Sequence, residues 1–379
     1  MAVKWPDGIA SGAIAAGIKP SGKTDLGIIV SNRPMSWAGT FTRNAAAAAC
    51  VDWSRSLLGK PVRAIVANSG NANACTGQQG VRAVADTAAA AADQLGCSPD
   101  EILIASTGPI GVHLPVDKLV AAMPALSSGV TSDVAAFSES ILTTDTRSKI
   151  AFSAPGDATV VGVAKGAAMC RPDMATMLAF LATDADLGQG DLQAALSGAV
   201  ESSFNRLSLD GCESTNDSVF LLSTGTTKVD QGAFLAALTE VCRDLALEIV
   251  RDSEGGHRVV RIQIAGAEDD RAAAHLGRAV ADSSLWRASV YGADPNWGRI
   301  LAAFGAVART LAPSDVTIAI GSELLFDKGE PAGSLEAAAK EMDADEFTVH
   351  CQVGSGPGVA EILSADLSPE YVQLNAEGT

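Results

Sequence analysis

The side chains that could do chemistry sit in a few compact blocks of the chain. In KGAAMCRPDMATMLAFLATDA, from Lys165 to Ala185, Pro172 cannot donate a ladder hydrogen bond. A loop should therefore end near Met174 and a strand begin close to Thr176. A threonine hydroxyl at such a boundary is a nucleophile wherever a base can take its proton. Threonine is also a good strand former that often faces a core, and the spacing leaves both readings open. STGPIG, from Ser106, follows a buried apolar run. Gly108 lets backbone approach a ligand closely and Pro109 fixes the next turn, so the segment is either an anion-facing loop or an ordinary strand-ending turn. NSGNANACTG, from Asn68, offers backbone N–H groups and amides that could cradle an anion or only knit a packed turn. Lys165 and Glu254 are candidates for binding opposite charges and are equally readable as solvated residues at element ends. Asn216 and Asp217 in STND, and Asp294, Asn296 and Arg299 in DPNWGR, are readable as orienting the nucleophile's strand or holding a subunit contact, and no catalytic role is assigned to them.

Short β-branched runs alternate with Ala-rich helical patterns along the whole chain, which predicts an α/β protein with covered sheets. Strands are expected at Val62–Asn68, Ile102–Ser106, Thr159–Ala164, Thr176–Thr183, Val259–Ile264, Val316–Ile320, Phe347–Val353 and Tyr371–Leu374. Gln78–Leu95, Leu192–Leu207 and Gln231–Val250 read as helices, and Ser98 with Glu101 reads as a capping box. The blocks with chemistry thus fall at strand ends. No repeat of fixed period is present, and no composition shift marks a flexible linker.

The composition excludes several functions. The chain has 379 residues, of which 47% are hydrophobic and 19% charged, a globular composition. With 27 basic against 44 acidic residues the formal net charge is -17, which repels a phosphate backbone or an anionic membrane. No nucleic-acid or membrane partner is expected. The start, MAVKWPDGIASG, lacks the apolar stretch of a signal peptide, and the expected location is the cytoplasm. The seven cysteines show no C-x-x-C spacing and read mostly as small buried hydrophobes. His113, His257, His275 and His350 are too scattered for a local metal motif, so no metal is expected.

The order of residues in the Lys165 block resembles the self-cleaving site of the glutamate N-acetyltransferase family, also called ornithine acetyltransferases. Further blocks match in the same order: FTRNAAAAA at Phe41, NSGNANACTG at Asn68, STGPIG at Ser106 and LTTDTRSK at Leu142. They continue with LDGCESTNDSVFLLSTG at Leu209, DSEG at Asp252, YGADPNWGRI at Tyr291 and YVQLNAEGT at Tyr371. The resemblance spans nearly the whole chain. It implies a two-lobed α/β fold with sheets packed between helix layers, like that of the related self-cleaving aminopeptidases. It also implies a cut between Ala175 and Thr176, giving an α-chain of residues 1–175 and a β-chain of residues 176–379 that stay together as an α2β2 heterotetramer.

By the same resemblance Thr176 is the nucleophile, and the Thr107 hydroxyl with the Gly108 N–H forms the oxyanion hole. Thr143, Lys165, Thr176, Glu254, Asn375 and Thr379 bind substrate. The implied reaction carries acetyl from N2-acetyl-L-ornithine to L-glutamate, releasing ornithine and forming N-acetylglutamate in arginine biosynthesis. No bound cofactor is implied, although some family members also take acetyl-CoA as a co-substrate. The chemistry is coherent, because cleavage would free the Thr176 α-amine, a base that titrates at about 7.7 to 8.0. Each oxyanion donor is worth roughly 2.7 to 4 kcal/mol.

The chain departs from the family pattern at NAEGT, where Gly378 stands in place of a tyrosine and one residue is missing, at Ala168, Cys170 and Arg171, and at Trp286-Arg287-Ala288. An N-terminal-nucleophile amidase or aminopeptidase, and an uncleaved binding module, are the alternatives.

Overall fold

The computed structural model describes residues 3–170 and 177–376, which form two compact units. Unit 1 comprises residues 1–166, 173–205 and 213–249; unit 2 comprises 167–172, 206–212 and 250–379. The strands of unit 1 are β1 (Ile9–Ile14), β2 (Leu26–Phe41), β3 (Val62–Ser69), β4 (Ile102–Thr107), β5 (Lys149–Ser153), β6 (Val160–Lys165) and β7 (Leu178–Ala185). The short β8 (Leu207–Ser208) belongs to unit 2, and β9 (Ser218–Thr227) returns to unit 1. Together the unit 1 strands make one mixed sheet in the order β4-β3-β2-β9-β7-β6-β5, with β1 paired to β2.

Local sequence explains how this sheet is drawn. The run VRAIVANS of β3 is buried on both faces apart from the half-buried Arg63, as expected of a strand covered by helices. The crossover from β3 to its parallel neighbour β4 is the Ala-rich helix Gly77–Leu95, stopped by Gly96 in the left-handed conformation at φ 62°. Ser98 then donates its N–H to the Glu101 carboxylate at 2.9 Å around a single 3-10 turn, the expected capping pair. Pro34 falls inside β2, in the register shift between Val30 and Met35 of its pairing with β3, just before the strand takes up β9 from Ser36. A proline reads as a strand breaker, and here it occupies the irregularity that lets one long strand serve two partners.

Strand β7 lies between β6, antiparallel, and β9, parallel, with Leu178 opposite both Lys165 and Ser218. Its Phe180 is fully buried, stacked on Phe220 at 5.6 Å and edge-on to Phe137 at 5.0 Å. Helix Gln231–Arg251 presses so closely on the sheet that a side chain at Gly162 would meet Leu245 at 2.8 Å.

Unit 2 is built on β10 (Val259–Ala267), β11 (Thr317–Ile320), β12 (Glu323–Asp327), β13 (Glu330–Pro331), β14 (Glu346–Gln352) and β15 (Gly358–Ala365). Their order is β13-β12-β11-β14-β10-β15-β8, and the helices 270–281, 284–291 and 297–307 contribute to the same apolar core. The fold is therefore α/β, with two sheets packed among helices.

Two expectations are corrected. Tyr371–Leu374 is not a strand but part of helix Pro369–Ala376. Ser368 accepts from the Tyr371 N–H at 3.1 Å, with proline and glutamate opening the first turn, so a helix start outweighs the alternating pattern. The helix expected at Leu192–Leu207 runs from Gln189 to Glu201. Beyond it the hydroxyls of Ser202 and Ser203 bond back to helix carbonyls, and Leu207–Ser208 joins β15. Of the cysteines, Cys50, Cys170, Cys242 and Cys351 are buried, whereas Cys75 and Cys212 are exposed. Among the described residues no helix is long and apolar enough to cross a membrane.

Phe180→Ala should leave a cavity where its ring meets Phe137 and Phe220 and cost about 3–5 kcal/mol, read as a lower urea midpoint at unchanged slope.

Candidate active site

In unit 1, Thr107 ends β4 and Lys165 ends β6. Lys165 is not a solvated lysine: it is only 4% exposed, and its ammonium donates to the Thr107 hydroxyl at 3.3 Å. The second partner is Asp145, whose Oδ2 lies 4.0 Å from Lys165 Nζ. The Asp145 side chain is fully buried and takes the Lys149 ammonium at 2.7 Å, the Gly166 N–H at 2.7 Å and the Thr143 N–H at 3.1 Å. Burial alone would raise the Asp145 pKa, but Lys165 and Lys149 outweigh it and hold the carboxyl at about 2. One buried carboxylate thus serves two buried ammonium groups. The buried Lys165 ammonium beside two hydroxyls is a setting that suits a ligand carboxylate.

Thr107, Thr143 and Lys165, far apart in sequence, therefore meet at one cluster. Asp145 and Lys149 complete it and were not singled out by sequence. Both lie in the LTTDTRSK block, yet a charged pair four apart ordinarily marks a solvated surface.

Gly108, next to Thr107, has φ 140°, and a Cβ there would lie 2.4 Å from the Asn71 nitrogen. The close approach is real, because the Asn71 N–H donates to the Thr107 carbonyl at 3.0 Å. The asparagines knit the two turns together. Asn68 accepts from Ser106 at 2.7 Å and donates to the Asn71 carbonyl at 2.8 Å, while Ala72 donates to the Pro109 carbonyl at 3.1 Å. NSGNANACTG is thus a hydrogen-bonded brace for STGPIG.

In unit 2, Glu254 is half-buried in the turn after helix Gln231–Arg251. Its carboxylate accepts from the Asn375 amide at 2.8 Å. A side chain at Gly255, φ 61°, would meet the Tyr371 nitrogen at 2.5 Å, so glycine lets the C-terminal helix dock on this turn. Asp210 accepts from the N–H groups of Met169 and Cys170, just before the proposed cleavage segment. The Tyr371 hydroxyl lies 3.5 Å from Asp210, with burial first and then that carboxylate pushing its pKa to about 12. Arg287, one of the departures from the family pattern, lies over the Tyr371 ring at 5.9 Å and donates to the Ala365 and Asp366 carbonyls. Ala175, Thr176 and Thr379 lie outside the described residues.

The model of the ArgJ family matches residues 10–379. The chain belongs to the ArgJ family. It is similar to the arginine biosynthesis bifunctional protein ArgJ of Thermus thermophilus, 43% identical over 99% of both chains. The Deinococcus radiodurans protein of the same name is 41% identical, covering 100% of this chain and 98% of its own. The crystal structure of arginine biosynthesis bifunctional protein ArgJ from Bacillus halodurans aligns with a TM-score of 0.50 and 33% identity, over 52% of this chain and 98% of that one. As a member of the ArgJ family the chain is an acyltransferase of arginine biosynthesis.

The Asp145 cluster makes two testable statements. Lys149→Met should destabilise the protein by about 3 kcal/mol by leaving a buried charge short of a partner. The folded pKa of Asp145 is depressed, so its contribution is fully present above pH ~4 and fades as pH falls towards ~2, amounting to about 2 kcal/mol. Urea titrations across that window should show this loss in the wild type and a shallower one in Asp145→Asn.

Proposed function

We propose that this ArgJ-family chain cuts itself between Ala175 and Thr176 and then carries acetyl from N2-acetyl-L-ornithine to L-glutamate on the Thr176 hydroxyl. The observation that carries the reading is the buried cluster in which the Lys165 ammonium meets the Thr107 hydroxyl and, through Asp145, the Thr143 N–H. In the cutting step Thr176 Oγ attacks the Ala175 carbonyl, the peptide C–N bond breaks, and the freed α-amine takes a proton. Water then hydrolyses the resulting ester and releases the α-chain carboxylate. The sheet supports such a cut, because the ladder between β6 and β7 holds the flanks of the break together. The solved Bacillus halodurans chain, matched over 98% of its length by 52% of this one, has the length of one product of a chain cut near its middle.

In the transfer step Thr176 Oγ attacks the acetyl carbonyl while its α-amine accepts the hydroxyl proton. The Thr107 hydroxyl and Gly108 N–H take the oxyanion. Collapse breaks the amide bond, the proton passes to the departing α-amine of ornithine, and the acetyl group remains as an ester on Thr176. The α-amine of glutamate then attacks that ester, forming N-acetylglutamate and restoring the hydroxyl. Lys165 and Thr143 receive a substrate carboxylate; Glu254 and Asn375 serve the side-chain ammonium of ornithine, and Thr379 completes the substrate residues. The scheme uses no bound cofactor, with acetyl-CoA as the second donor to assay. An α2β2 assembly in the cytoplasm belongs to the same proposal.

Intact-protein mass spectrometry should give two chains meeting at Ala175 and Thr176 and, in Thr176→Ala, one uncut chain; an uncut wild type overturns the reading. With acetylornithine as donor, double-reciprocal plots against glutamate should be parallel, and intersecting lines would exclude a transferred acetyl-enzyme.

A further inference from the structure

The segment Ser214-Thr215-Asn216-Asp217 has no job in the scheme above, yet it is among the most constrained polar stretches of unit 1. Asn216 and Asp217 are 4% and 2% exposed. The Asn216 amide donates to the Ala72 carbonyl at 2.6 Å and to the Ser106 carbonyl at 2.9 Å, and its oxygen accepts from the Thr215 hydroxyl at 2.6 Å. The Ser106 carbonyl belongs to the peptide whose nitrogen is that of Thr107, so Asn216 holds the oxyanion loop directly. One residue on, Asp217 accepts the Met177 N–H at 2.8 Å. That N–H belongs to the peptide whose carbonyl carbon is that of Thr176. The segment is itself clamped from the other side, with the Thr42 N–H on the Asp217 carbonyl at 3.0 Å and the Ala48 N–H on the Thr215 carbonyl at 2.8 Å.

We propose that Asn216 and Asp217 are positioning residues that together set the distance between the nucleophile at position 176 and the oxyanion donors at Thr107 and Gly108. The inference rests on the assignment of Thr176 as nucleophile. Two adjacent side chains reach in two directions, one to each half of the reacting geometry, and a single rigid backbone joins them. Their chemistry fits a fixed brace. Burial pushes the Asp217 carboxyl well above the usual carboxylate range, against the opposing pull of the Met177 N–H and of Lys165, and Glu213 adds to the rise. Its Oδ2 has no hydrogen-bond partner among the described residues, so the neutral acid is the form that this pocket tolerates. The side chain acts through Oδ1 as a fixed acceptor.

The role predicts a distinctive pattern, since a misplacement of about 1 Å in a reacting pair costs on the order of 100-fold in rate. Asp217→Asn keeps a neutral oxygen for the Met177 N–H and should self-cleave and turn over within about fivefold of wild type, with the same pH profile. Asp217→Ala, and Asn216→Asp, which faces two carbonyls with an acceptor, should slow self-cleavage by about 100-fold. In molecules that do become cut, kcat should fall by a similar factor while KM for acetylornithine stays within about threefold. Phe304→Ala, a core lesion in unit 2, serves as the stability control.

The experiment is a time course of intact mass after purification, with kcat and KM on the cut fraction and a melting temperature for each variant. Slow cleavage in a folded Asp217→Ala chain, rescued in Asp217→Asn and absent from the Phe304→Ala control, supports the brace. Wild-type rates in Asp217→Ala, equal damage in the Ala and Asn variants, or equal damage in the control would overturn it. An uncut wild type in the same gel would instead overturn the assignment of Thr176, so the two failures are distinguishable.

Discussion

The sheet of unit 1 depends on strand β7 being hydrogen-bonded along both edges, to β6 on one side and β9 on the other. Register does the rest: Leu178 stands opposite Lys165 and Ser218, so the residue two after the proposed nucleophile is level with the buried lysine and with the residue after Asp217. A slip of one residue would reverse the facing of every side chain on that strand. The stacked Phe180 and Phe220 pair resists such a slip by burying large rings on facing positions of neighbouring strands. A cut in the preceding segment would leave this ladder whole, because the bonds that hold β7 run between strands and not along the chain.

Electrostatics at the end of that sheet follow from a single carboxylate. Two ammonium groups out of water are costly unless a counter-charge is close, and Asp145 is that counter-charge for both. Its remaining bonds, to the N–H groups of Thr143 and Gly166, fix the loop that carries one candidate substrate residue and the turn that follows another. Lys19, half-buried near the same group, has its pKa lowered first by burial and also by Lys165, while Asp25 opposes the shift.

In unit 2 the same logic appears with different groups. Asp210 gathers the N–H groups of residues 169, 170 and 212, and Arg287 packs beneath Tyr371 while holding the carbonyls at the end of β15. Trp286 and Arg287, which depart from the family pattern, are both buried. Arg287 shapes how the C-terminal helix is seated, and so how Asn375 reaches Glu254.

Much of the fold, and several residues of the Lys165 cluster, were legible in the sequence. Long ordered blocks such as MATML, STGPIG and DSEG identify the family, and buried β-branched runs marked β3, β4 and β6 because strands covered on both faces must be apolar throughout. Sequence also named Lys165, Thr107, Thr143 and Glu254. It could not say that Lys165 is buried, since a lysine at a strand end looks the same whether it meets water or a carboxylate twenty residues away. The C-terminal helix was misread because Tyr-Val-Gln-Leu satisfies a strand pattern, and only the seating of Ser368 and Gly255 against its first turn decides the matter. The roles of Asp145 and Lys149, and the partners of Asn216 and Asp217, belong wholly to tertiary structure. Charge, burial and hydrogen-bond geometry at these positions arise from neighbours brought together by sheet register, and no local spacing encodes them.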